Sequence, residues 1–486
     1  MDWLVVSRQL YFTINLEEIF YFNNKKRRIY AVFGVSQTPI IIQNERSKRM
    51  ESVIFHIDVN SAFLSWTSVH NLETGSGPDL RTIPAIIGGD KKNRHGIVLA
   101  KSESAKTFGI HTGEPVVSAF RKCPFLTTQA PDHALYHAYS KKMMDLLHTY
   151  SPDIEQISID ECFLDFTPIL RLYESPIAAA TQIKDDIKNR FHFTVNIGIA
   201  PNKLLAKMAS DFKKPDRIHT LFFDEIPAKM WPLSVDDLYM VGHSSANRLK
   251  SFGIRTIGDL AHTDVDFLKR EFKSHGIRMW EYANGIDHSV VDATEHELKC
   301  VGNSVTLRED VTAETEARRV LLSLSETVSE RLRSCSQIAQ SVTVEIKYSD
   351  FSSFSHQMPL FSPTNTTDTI YDAACHLFHE LWNGKPVRLL GIRTGKLLPA
   401  DAPVQMSIFD FADTKKAASD PAAFSSSVPN AAERAKRLKR LDAAVDSIRH
   451  KYGSDAIVRG SFLNNANEFK PKAKQKTDPP PESPDD

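Results

Sequence analysis

The chain has 486 residues, 41% hydrophobic and 25% charged, with 60 basic and 60 acidic side chains balancing to a formal net charge of +0. That length is too great for one core and predicts three or more domains, while the charge balance argues against a uniformly basic nucleic-acid-coating protein, so any polyanion binding must be local. No run of about 18 apolar residues offers a membrane span, the N-terminus has no secretory pattern, and five scattered cysteines without a CxxC pair suit reduced thiols in the cytoplasm.

Residues 1–52 mix aromatics with the cluster Lys25, Lys26, Arg27 and Arg28 and hold no sustained period. They are expected to be a poorly ordered N-terminal extension, with the evolved domain starting near Met50. The apolar stretch VIFHID (53–58) then predicts a strand, and Asn60 and Ser61 predict the cap of a helix over AFLSWTSVHNL. Residues 83–87 and 96–100 read as short strands around the polar turn GGDKKNRH, and a helix is expected over Leu135–Tyr150. IEQISI (154–159) and CFLDF (162–166) are strand-like, with Asp160 and Glu161 between them. Ser175 and Pro176 open another helix, supported by Ile177, Ile183 and Ile187; FTVNIGI (193–199) is a strand and PNKLLAKMASD a helix. Residues 221–290 read as mostly helical, and 300–398 follow the order β-α-β-β-α-β. From Leu398 the composition becomes that of a linker. It is followed by a tail helix opened by Asn430 and Glu433, with Leu438, Leu441, Val445, Ile448 and Tyr452 at helical spacing and Gly453 as its stop. The last stretch, PKAKQKTDPPPESPDD, has the composition of a disordered tail.

Asp58 ends one apolar strand and Asp160-Glu161 adjoin another. Carboxylates at adjacent strand ends can converge on one point, and like charges held together need a cation. Mg²⁺, a hard ion taking oxygen ligands, fits such a set, and two ions can serve an in-line displacement at phosphorus. The same residues also suit a helix cap and a solvated turn, and spacing alone leaves both readings open.

Three segments in order, IFHIDVNSAFLSW, ISIDECFLDF and GIAPNKLLAKMASDFKKPD, resemble the Y-family DNA polymerases, the polymerase IV type in particular. The resemblance runs from about residue 53 to 398. It implies an α+β multidomain right hand: palm over 53–62 and 127–220, fingers over 63–126, and a thumb with a helix-hairpin-helix over 221–290. A linker at 291–299 and a β-α-β-β-α-β little finger over 300–398 would follow, then a clamp-binding linker, short helix and tail over 399–486. Carried over residue by residue, it implies that Asp58, Asp160 and Glu161, with the Val59 carbonyl, hold two Mg²⁺ ions. It implies Phe63 as a steric gate under the sugar, Lys106 and Lys203 as triphosphate contacts, and Ser158 as a residue that shapes the site. It also implies template-directed, error-prone DNA synthesis from dNTPs on a primer–template, without proofreading, by a cytoplasmic monomer. Gln405, Met406, Ser407, Ile408 and Phe409 resemble the peptide that docks such enzymes on a sliding clamp. Arg331, Arg333, Lys347, Arg388 and Arg393 are candidate phosphate contacts in the little finger. The sequence departs from the family at Asn60, which replaces an acid, and at Glu103 and Lys106, which replace a Tyr and an Arg. A nucleotide cyclase and a non-catalytic scaffold are the rival classes; the hairpin and clamp motifs oppose the first, and the retained carboxylates oppose the second.

Overall fold

The computed structural model describes residues 52–89, 96–294, 297–403 and 431–465, together with 21–23 and 28–30. Strands β1 (Tyr21–Asn23) and β2 (Arg28–Tyr30) form an antiparallel pair. The main body begins with β3 (Ile54–Val59) and α1 (Ala62–Thr74). Then come β4 (Ala85–Gly88), β5 (Val98–Lys101), α2 (Glu103–Thr107), α3 (Val116–Lys122), β6 (Thr127–Gln129) and α4 (His133–Leu147). The chain continues through β7 (Ile154–Gln156), β8 (Glu161–Asp165), α5 (Pro176–Phe191), β9 (Val195–Ala200), α6 (Lys203–Asp211) and β10 (Ile218–Thr220).

These elements make two sheets. The larger has the order β10-β9-β3-β8-β7, with β3 antiparallel to both neighbours. Alternation along β3 sorts its side chains between two cores. Phe55, Ile57 and Val59 join Leu64, Trp66, Tyr136, Ile183 and Ile187 on the side of α1, α4 and α5. Ile54 joins the core built on α6, and the alternation puts His56 and Asp58 on that same face. Gly198 of β9 lets α6 lie this close, because a Cβ there would stand 2.0 Å from the Ala206 carbonyl oxygen. The smaller sheet, β5-β4-β6, carries its own core around Ile86, Val98, Ile110 and Val116. It takes in β6, one element past the expected end of the fingers at residue 126, because β6 pairs with β4 in parallel.

The helical region contains α7 (Ile226–Lys229), α8 (His243–Ser251), α9 (Ile257–His262), α10 (Val265–Phe272) and α11 (Ser274–Ala283). A short turn joins α8 to α9, and in it Gly253 takes the left-handed conformation (φ 86°). Leu249, Leu260 and Met279 share one core with Leu204, Leu205 and Met208 of α6.

The next unit runs β11 (Cys300–Val311), α12 (Glu314–Ser334), β12 (Gln337–Tyr348), β13 (Ser353–Thr364), α13 (Thr367–Leu381) and β14 (Val387–Pro399). That is the expected β-α-β-β-α-β order, folded as an antiparallel sheet β11-β14-β12-β13. α12 and α13 bury one face of it. The other face is open, with a groove of about 600 Å³ lined by Asn303, Thr343, Glu345, Phe354 and Arg393. The tail helix α14 (Ala431–Tyr452) contacts α13 and ends before Gly453 (φ 99°). Among the described residues no helix is long and apolar enough to cross a membrane.

Candidate active site

Sheet register builds the site. Asp58 stands directly opposite Glu161 across the β3–β8 ladder and opposite Asn196 across β3–β9. Asp160 precedes Glu161, and its carbonyl accepts the Val59 N–H at 3.1 Å. The structure thus brings Asp58, Asp160 and Glu161 to the same end of two paired strands, together with Val59. Ser158 donates to Asp160 Oδ1 at 2.6 Å and so orients that carboxylate.

Two lysines complete the cluster. The Lys207 ammonium donates to Glu161 and the Lys214 ammonium to Asp58. Lys214 also pairs with Asp211 at 2.9 Å. His56, fully buried behind the carboxylates, has Nδ1 2.7 Å from Ser210 Oγ and Nε2 3.4 Å from Glu161 Oε2. Burial keeps the imidazole pKa below its ordinary value. The His56 ring and the Lys207 ammonium hold Glu161 down to about 2 against the opposing effect of burial. Asp160 behaves oppositely. Burial first, then the charges of Asp58 and Glu161, push it up in spite of the Ser158 hydrogen bond. Burial works against the Lys214 charge, yet Asp58 and Asp211 outweigh it and raise that pKa.

Among the described residues no three His, Cys, Asp or Glu groups close into a metal cage, and lysines lie on two of the carboxylates. The donor set is nonetheless all oxygen, and Asp160 is the carboxylate with no lysine partner and an environment that disfavours its charge. An oxygen-only, over-acidic set fits a hard divalent cation.

Asn60 has a structural explanation. Its side-chain oxygen accepts from Thr194 Oγ1 and from the Asp216 N–H, both at 2.9 Å. Its amide donates to Asn196 Oδ1 at 3.1 Å. Asn196 in turn donates to the carbonyls of Ser210 and Lys213, at 3.0 and 2.8 Å. This pair of amides pins the segment that carries Lys214. With its side chain so engaged, Asn60 does not cap α1. Ser61 takes the N-cap position in the left-handed region (φ 48°, ψ 52°) without a side-chain cap bond, unlike the expected Asn-Ser start.

Phe63 is half-buried and stacks on Tyr136, with centroids 4.4 Å apart and planes 6° apart. Lys203 lies elsewhere. It pairs with Glu155 at 2.6 Å and donates to the Val290 carbonyl at 3.3 Å, which ties α6 to the segment after α11. Lys106 sits on exposed α2 with Glu103 at 3.8 Å. Of the candidate phosphate contacts, Arg393 lines the open groove and Arg388 lies over the Phe351 ring at 4.6 Å. Arg331 donates to the Gly302 carbonyl at 2.9 Å. Arg333 is committed to Asp446 and Asp442 of α14, which removes it as a free phosphate contact. Residues 405–409 lie outside the described residues. Sequence reasoning missed Lys207 and Lys214. Both lie within the third motif, GIAPNKLLAKMASDFKKPD, the one signal that could have drawn attention to them.

Comparison with known proteins fits this geometry. The impB/mucB/samB family model matches residues 57–211, and the model of that family's C-terminal domain matches 298–408. DNA polymerase IV of Clostridium acetobutylicum is 45% identical over 415 residues, covering 85% of this chain and 99% of the relative. DNA polymerase IV 1 of Bacillus subtilis is 38% identical, covering 85% of this chain and 93% of the relative. A solved Y-family DNA polymerase chimera shares the fold with a TM-score of 0.63 at 22% identity, over 71% of this chain and 99% of that one. With paired strands presenting the carboxylates and relatives matching along nearly their whole length, this chain belongs to the Y-family DNA polymerases of the DNA polymerase IV type.

Proposed function

We propose that the enzyme adds dNTPs to a primer 3′ end by two-Mg²⁺ nucleotidyl transfer, copying damaged templates without proofreading. The observation that carries this reading is the strand register that sets Asp58 opposite Glu161 with Asp160 alongside. Asp58 and Asp160 would hold both ions, the Val59 carbonyl would ligate the one on the nucleotide side, and Glu161 would complete the one on the primer side. Bound there, the ions would activate the 3′-hydroxyl and neutralise charge on the leaving pyrophosphate. The hydroxyl attacks the α-phosphate in line, and the bond to pyrophosphate breaks. Ser158 orients Asp160 for its part in the site. Phe63, held flat by Tyr136, supports a steric gate that meets the sugar where a 2′-hydroxyl would project. Lys214 is the better-supported triphosphate contact, since it already neutralises an acid of the cluster, whereas Lys203 and Lys106 have other partners. Lys207 is a second cation at the same place. The groove on the open little-finger sheet, with Arg393, suits the backbone of primer–template DNA. Residues 405–409 would bind a sliding clamp, with the polymerase working as a cytoplasmic monomer.

The test is primer extension on a defined template with Mg²⁺ and dNTPs, comparing the wild type with Asp160→Ala. Extension should vanish in the variant. Activity that survives would remove Asp160 from the metal site, and no extension by a well-folded wild type would favour a scaffold.

A further inference from the structure

The tail helix α14 is fixed to the helix-covered side of the little finger by charge. Asp442, 6% exposed, accepts the Thr367 N–H at 2.9 Å and pairs with Arg333 at 3.2 Å. Asp446 pairs with the same guanidinium at 2.5 Å. Glu326 of α12, 9% exposed, receives Arg449 at 3.1 Å and Arg459 at 2.8 Å. These contacts turn both described acids of the helix inward and leave a basic cluster outside, beside a strip carrying the exposed Leu441, Ile448 and Tyr452. Lys436, Arg437, Lys439 and Arg440 are all exposed and have no ion pair with a described residue.

Positions 436 and 440, 436 and 439, and 437 and 440 are neighbours on the helix, so like charges repel there. The chain as a whole is neutral, so the patch is local and not a sample of a basic protein. Toward the C-terminus the outer surface carries Ala443, Ala444 and Ser447, small exposed residues that obstruct nothing. Four long cations within about 6 Å of helix axis match repeating phosphates, and by helical spacing Leu441, Ile448 and Tyr452 lie along a separate strip and not among them.

We propose that this face of α14 is a sequence-independent site for the sugar–phosphate backbone of duplex DNA, additional to the primer–template groove. It lies on the side of the little finger away from the open sheet, so it would take a second segment of DNA while the first is being copied. This rests on the polymerase reading only in the choice of DNA as the polyanion.

The full-length protein is first saturated with an unlabelled primer–template hairpin. A fluorescent blunt duplex is then titrated in, followed by anisotropy at rising salt. The comparison is with the combined variant Lys436→Ala, Arg437→Ala, Lys439→Ala and Arg440→Ala, in which alanine preserves the helix. The wild type should bind the second duplex, and the variant should bind it about tenfold more weakly or worse, with a salt slope lower by about 2 to 3. Both should keep the same thermal midpoint and the same affinity for the hairpin. Equal binding of the second duplex by both proteins would overturn the proposal, as would its failure to bind the saturated wild type. Failure of the wild type to bind the hairpin itself would instead overturn the polymerase reading.

Discussion

Asn60 shows how one atom exchanged in a side chain can move a function to a neighbour. An aspartate at this position could accept from Thr194 and Asp216 but could not donate to Asn196, and it would place a fourth carboxylate beside an over-acidic cluster. Asn60→Asp should therefore loosen the segment that carries Lys214 and weaken the grip on the incoming nucleotide. Single-nucleotide kinetics should show KM for dNTP raised by about tenfold, equivalent to one lost charge-assisted contact, with a smaller fall in kcat. An unchanged KM would mean that the amide pair does not govern Lys214. At this scale the carboxylates were legible because strand ends announce themselves in the sequence. The lysines were not: Lys214 reaches Asp58 across 156 residues, and no local pattern marks a contact made by a turn folded back under a glycine-permitted helix. Lys203 shows the converse: at a helix start that suits phosphate, its ammonium pairs with Glu155 and the Leu204 N–H is taken by Asp287.

Among the elements, α9 is the one whose boundary is best defined by its own residues. Thr256 Oγ1 accepts the Asp259 N–H at 3.0 Å, and Asp259 accepts the N–H groups of Thr256 and Arg255 at 2.9 and 3.0 Å. Those donors, Thr256 first, hold the Asp259 carboxyl below the ordinary range. Its contribution is therefore complete above the unfolded-state pKa and fades as pH falls through the lower folded value. Asp259→Ala should cost about 1 kcal/mol near neutral pH, and that difference should shrink toward zero when urea unfolding is repeated near pH 2.5. A penalty that persists in acid would mean packing, not the cap, is at stake. The order β-α-β-β-α-β could be read from period and caps, but the lateral order β11-β14-β12-β13 could not, since pairing is chosen by which strands the crossover helices bring together. The tail helix illustrates the limit of periodicity. Its spacing predicts an apolar seam, yet Leu441 and Tyr452 are 51% and 62% exposed. The contact runs instead through Asp442, Asp446 and Arg449, whose partners on α12 no reading of the tail alone could supply.

For the molecule as a whole, activity and attachment are expected to separate. Deleting residues 405–409 should abolish stimulation of primer extension by the sliding clamp while leaving unassisted extension intact. Loss of both would assign those residues to folding. The α+β character was legible in the alternation of apolar strands with capped helices, whereas the fusion of α6 with the helical region into one core was not. That fusion has a mechanical consequence. The helix that brings Lys207 to the carboxylates is also a wall of the helical region's core, so the carboxylate site and that region are packed as a single casting. The little finger keeps a separate core and joins this casting through the segment that Lys203 and Glu155 fasten to the palm. A displacement of that unit around a distorted template would leave the pairing of Asp58 with Glu161 untouched, because its core is built without theirs.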